Sequence, residues 1–156
     1  MNQGEAVILV VEDNDDDVAL IRRAFRETQL PKRVEVARDG GEALDYLLGR
    51  PPYDDRRRYP LPRLVILDLK MPRVDGFEVL ETVKRASRTK PIPVVILTSS
   101  SEQKDIDRSY ELGANSYLVK PVAFDQFRGV VARIEEYWLA LNTSPPGIEV
   151  RVRAGD

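Results

Sequence analysis

The chain has 156 residues, ordinary shares of apolar and charged side chains, a net charge of −2, and neither cysteine nor histidine. That length suits one domain with a sizeable core, and the weak net charge gives no electrostatic reason to expect nucleic acid or an anionic membrane as partner. Without Cys and His the chain has no disulfide, no thiol or imidazole catalysis, no thiolate or imidazole metal site, and no phosphohistidine of its own. Chemistry is left to carboxylates, hydroxyls, lysines and backbone, a donor set that suits a hard cation such as Mg²⁺. No apolar run approaches ~18 residues, and Met1-Asn2-Gln3-Gly4-Glu5 lacks a cationic start with an apolar stretch behind it. A cytoplasmic protein is the expectation.

Val7 to Val11 reads as the first strand, and Asn14 and Asp15 offer N-caps to a helix with Val18, Ile21 and Phe25 on one face. Pro31 precedes a short second strand, Val34 to Ala37; Asp39-Gly40-Gly41 then turns into a helix carrying Ala43, Leu44, Leu47 and Leu48. Residues 49–62 form a Pro-rich segment with Arg56-Arg57-Arg58, expected to be a solvated surface loop. Leu64 to Leu67 is the third strand, followed by a helix from about Phe77 to Arg88. Val94 to Leu97 is the fourth, followed by a weakly apolar helix near Gln103 to Leu112. The fifth strand ends at Lys120-Pro121, and one long helix carries Phe127, Val131, Ile134, Trp138 and Leu141. In the tail, residues 142–156, Ile148 to Val152 would either pair as an edge strand or stay mobile.

Short apolar runs alternating with helices predict an α/β fold: a doubly wound, five-stranded parallel sheet with helices on both faces and right-handed crossovers. The flavodoxin-like order 2-1-3-4-5 is the economical choice, and ligands in such sheets bind beyond the carboxyl ends of the strands. Glu12 and Asp13 follow the first strand, Asp68 the third and Lys120 the fifth, so four charged groups converge. Clustered anions repel by about 4 kcal/mol per pair at ~4 Å and an effective dielectric of ~20. Something positive must sit among them: Lys120, a divalent cation, or both.

Singly, these residues have plain readings. A strand-end Asp opens turns, the run Glu12 to Asp17 could only cap a helix and complement its dipole, Tyr117 could be an ordinary strand aromatic, and Trp138 could be core. Jointly, the set Glu12-Asp13, Asp68, Thr98 and Lys120-Pro121 at successive strand ends resembles a response-regulator receiver domain over about residues 6–141, with 49–62 as a loop insertion.

That resemblance implies roles. Asp68 would be the phosphoacceptor, taking a phosphoryl group from a partner's phosphohistidine. Glu12, Asp13, Asp68 and the Lys70 carbonyl would hold Mg²⁺ or Mn²⁺. Lys120 and Thr98 would bind the phosphoryl group, and Thr98 with Tyr117 would form the switch. Lys70 and Ser100 occupy positions that tune phosphoryl lifetime, and the Lys120-Pro121 bond would be cis. The output surface would be the fourth helix, fifth strand and fifth helix. The insertion and the ending Ile134 to Leu141 with Pro145-Pro146 are similar to single-domain response regulators of phytochrome histidine kinases. The expected protein is thus a stand-alone response regulator rather than an enzyme, with a bacteriophytochrome-type sensor kinase as donor and an unidentified downstream protein. It would form a homodimer through a face including Val130, Ile134, Tyr137 and Trp138.

Other classes compete with this reading. A haloacid-dehalogenase-type phosphatase needs an acid two residues past the nucleophile, where this chain has Lys70. A degenerate receiver, acting as a phosphorylation-independent interaction module, stays open from sequence.

Overall fold

The computed structural model describes residues 5–148. Its elements, in chain order, are β1 (Ala6–Val11), α1 (Asp15–Arg26), β2 (Lys32–Ala37), α2 (Gly40–Leu48), β3 (Leu64–Leu67), α3 (Gly76–Arg85), β4 (Val94–Thr98), α4 (Gln103–Glu111), β5 (Ser116–Val119) and α5 (Phe124–Glu135). The strands form one parallel sheet in the order β2-β1-β3-β4-β5. Among the described residues no helix is long and apolar enough to cross a membrane.

Every residue of β1, β3 and β4 is buried, as expected where helices cover both faces of a parallel sheet. Because side chains alternate along a strand, the sheet has two cores. Val7, Leu9 and Val11 pack with α2 and α3, while Ala6, Ile8 and Val10 pack with α1 and α5. The helices α1, α2 and α3 start on side-chain caps: Asn14, Asp39 and Asp75 accept from the backbone N–H groups of Asp17, Glu42 and Glu78.

Several expectations need correction. The third helix stops at Arg85 rather than Arg88, because Ala86 turns extended and the Thr89 hydroxyl donates to the Val83 carbonyl at 2.7 Å. The long last helix is two segments: after Glu135 the coil widens into a π-helical stretch, Glu136–Leu141. Residues 49–62 do form a surface loop, but part of it packs back onto α2. Tyr46, Tyr53 and Tyr59 pack against one another, tilted or edge to face, at centroid distances of 5.0–6.0 Å. Arg56 donates to the carbonyls of Tyr46 and Leu47, both at 2.8 Å, and so caps the end of α2. In the tail, Ile148 is buried in the α2/α3 core and Ser144 accepts from Arg63 at 2.7 Å. Residues 149–152 lie outside the described residues. The Lys120-Pro121 bond is trans, as Pro51-Pro52 is the only cis bond among the described residues. Trans is favoured intrinsically by about 0.5–1 kcal/mol, and the fully exposed Val122 beyond Pro121 offers no packing to reverse that.

Candidate functional site

Register builds the site. Val11 pairs with Leu67 and Thr98 with Val119, so the residues that follow each strand are brought side by side. The ladder continues into the site itself: the Glu12 N–H donates to Ala37, Asp68 to Val11 and Lys120 to Thr98, at 2.9, 3.0 and 2.7 Å. The side chains of Glu12, Asp68 and Lys120 therefore hang from hydrogen-bonded backbone. Gly76 closes the frame, since a Cβ there would lie 2.4 Å from the Asp68 carbonyl oxygen.

Lys120 Nζ donates to Glu12 Oε1 at 2.5 Å, Asp17 Oδ2 at 2.7 Å and Asp68 Oδ2 at 3.2 Å. Glu12 and Asp68 are buried, whereas Asp13 is exposed. Burial first, then the neighbouring Asp68 charge, raises the Glu12 pKa to about 7 against the opposing pull of Lys120. Burial alone would lower the Lys120 pKa, but hydrogen bonds to Asp17 and Glu12 and the Asp68 charge outweigh it and raise the value. Glu12, Asp13 and Asp68 each offer a carboxylate oxygen within 4.8 Å of the others. Three hard oxygen donors so close together, two of them already on the Lys120 ammonium, fit a divalent cation such as Mg²⁺.

Thr98 is fully buried, and among the described residues its hydroxyl has no hydrogen-bond partner. A buried polar group left unsatisfied is costly and calls for an explanation. Tyr117 is half-buried and donates to the Ser100 carbonyl at 2.9 Å, tying β5 to the segment after β4. The Ser100 hydroxyl is taken up locally, donating to Asp105 at 2.6 Å in the first turn of α4. Lys70 is exposed, and its N–H lies 3.4 Å from Asp68 Oδ1.

Structure thus gathers Glu12, Asp13, Asp68, Lys120 and Thr98 at one end of the sheet. It corrects one residue of the expected dimer face: Ile134 is buried in the α1/α5 core, because α5 turns that side inward. Tyr137 is exposed, while Val130 and Trp138 are half-buried against the same core. Asp17 was missed as a Lys120 partner. The signal was faint: in Asp15-Asp16-Asp17 only helix geometry tells which carboxylate turns toward the strand ends.

The response regulator receiver domain family matches residues 8–132. A probable methanogenesis regulatory protein of Methanothrix harundinacea, FilR2, is 46% identical over 89% of this chain and 87% of its own. The phosphorylated cyanobacterial phytochrome response regulator RcpA superposes with a TM-score of 0.86 at 39% identity, over 90% of this chain and 99% of that one. The Mn²⁺-bound response regulator Rcp1, a Synechocystis protein, gives 0.84 at 36% identity over 90% and 99%. Fold, site and sequence agree, and the chain belongs to the response regulator receiver domain family.

Proposed function

We propose that this chain is a two-component response regulator phosphorylated on Asp68 by a phytochrome-type histidine kinase. A carboxylate oxygen of Asp68 attacks the phosphorus of the donor phosphohistidine. A P–O bond forms, the P–N bond breaks, and the imidazole keeps the electron pair and takes a proton from solvent. Lys120 donates to the phosphoryl oxygens as a point charge. Glu12, Asp13, Asp68 and the Lys70 carbonyl would hold Mg²⁺ or Mn²⁺, which would supply positive charge to offset that of the transferred group.

The observation that carries the reading is the buried Thr98 hydroxyl with no partner. It is a donor held ready for an oxygen that arrives with the phosphoryl group. Phosphorylation adds about −1.5 to −2 charge and strong acceptors. Drawing Thr98 toward them shifts the segment behind it, and the Tyr117 to Ser100 bond passes the shift to β5. The readout surface is then α4, β5 and α5 with its π-helical extension, where Tyr110, Val119 and Tyr137 are exposed; a homodimer through this face would use Tyr137 and Trp138. The donor assignment is supported by the likeness to RcpA, and the metal by the likeness to Mn²⁺-bound Rcp1.

Intact mass after incubation with acetyl phosphate tests the chemistry. One added phosphoryl is expected, dependent on Mg²⁺ and absent from Asp68→Asn. An adduct retained in Asp68→Asn would refute the acceptor assignment.

A further inference from the structure

Asp17 has no place in the reading above. Its carboxylate is outside the group that would hold a cation, yet it sits 2.7 Å from Lys120 Nζ, nearer than Asp68 at 3.2 Å. The contact joins α1 to the end of β5, across 103 positions of sequence. It is also aimed: Asn14 accepts from the Asp17 N–H at 3.0 Å and fixes the first turn of α1. Of the neighbouring carboxylates, Asp15 pairs with Arg38, while Asp16 is exposed and makes no contact with Lys120. Dipole complementation would be served by any of the three aspartates, and only Asp17 reaches the ammonium.

An ammonium has three protons to donate. Here they go to Glu12, Asp17 and Asp68. A phosphoryl group on Asp68 brings new acceptors for the same protons, so one present partner must give way. Glu12 and Asp68 belong to the carboxylate set for the cation, and both are more buried than Asp17, whose side chain is 24% exposed. Asp17 is the partner whose release costs least, since water can resolvate it. We infer that Asp17 is a positioning residue that holds Lys120 toward α1 in the resting protein and competes with the phosphoryl group for it. Phosphorylation would therefore also break the link between α1 and the end of β5.

The inference rests on the phosphoacceptor reading of Asp68, and one titration separates the two. Beryllofluoride, a phosphoryl mimic, is titrated at saturating Mg²⁺ and followed by ¹⁹F NMR in the wild type, Asp17→Asn, Asp17→Glu and Asp16→Asn. The expected result is about threefold tighter binding in Asp17→Asn, the scale of one partly exposed ion pair. Asp17→Glu, which keeps the carboxylate, should return toward wild-type affinity. Asp16→Asn removes the same charge from the same helix turn and should stay at the wild-type value. Equal gains in Asp16→Asn and Asp17→Asn would reduce the effect to bulk electrostatics and overturn the inference, as would no gain in Asp17→Asn. A wild type that binds no beryllofluoride would instead sink the phosphoacceptor reading on which the inference depends.

Discussion

Lys32 and Lys120 both have side chains nearly withdrawn from solvent, and their surroundings could hardly differ more. Lys32, with a side chain 7% exposed, meets one carboxylate, Glu135, at 2.6 Å. The Thr28 hydroxyl and the Leu30 carbonyl take its remaining protons at 2.7 and 2.8 Å. Charge and hydrogen bonds both balance, and the cluster clamps β2 to the end of α1 and to the junction where α5 widens. Lys120, 10% exposed, instead faces Glu12, Asp17 and Asp68, with Asp13 beside them. That cluster carries an excess of negative charge, and an unpaired hydroxyl stands at the end of the adjacent strand. A closed cluster holds a fold together; an open one, in the proposed function, takes a ligand of defined charge. Burial alone would not have told them apart.

The largest effect should come from opening the closed cluster. Glu135→Ala leaves the Lys32 ammonium buried without a counter-charge and should cost about 3–5 kcal/mol in urea denaturation. The double change Lys32→Met/Glu135→Leu should recover most of it. If the single variant is as stable as the wild type, the clamp is not structural. Next comes the frame of the open cluster. Gly76→Ala forces a methyl against the Asp68 carbonyl and should cost about 1–3 kcal/mol, with slower phosphoryl uptake from acetyl phosphate. Unchanged uptake would mean the loop yields without moving Asp68.

The smallest effect is a pH dependence. The folded-state pKa of Glu12, about 7, lies above its ordinary value of 4.5, with burial the larger cause and Asp68 the next. A carboxyl raised on folding favours the folded state while protonated. Its contribution is complete below about pH 4.5 and is lost as pH rises through about 7. Without divalent metal, the wild type should lose stability from pH 5 to 8 relative to Glu12→Gln. Parallel stability profiles for the two proteins would contradict the assigned cause.

The open cluster was legible in the sequence and the closed one was not. Glu12-Asp13, Asp68 and Lys120 each end an apolar run, and a parallel sheet gathers strand ends, so the topology follows from pattern and the site from topology. Lys32 and Glu135 carry no such marker. A lysine before a short strand and one glutamate of the pair Glu135-Glu136 look like ordinary solvated charges. Their pairing depends on how α5 rotates against α1. The same rotation decides that Ile134 faces the core while Tyr137 does not, which helical spacing alone left open. Arg56 was hidden inside a run of three arginines, where only the position of the α2 carbonyls tells a capping guanidinium from its exposed neighbours.

The most direct test is the thermal midpoint as a function of Mg²⁺, measured for the wild type, Asp13→Asn and Asp68→Asn. If an excess of carboxylate is what makes the open cluster a site, Mg²⁺ raises the wild-type midpoint by preferential binding to the folded state. The rise should then shrink or vanish in both variants. An equal rise in all three proteins would place the cation elsewhere and contradict the account.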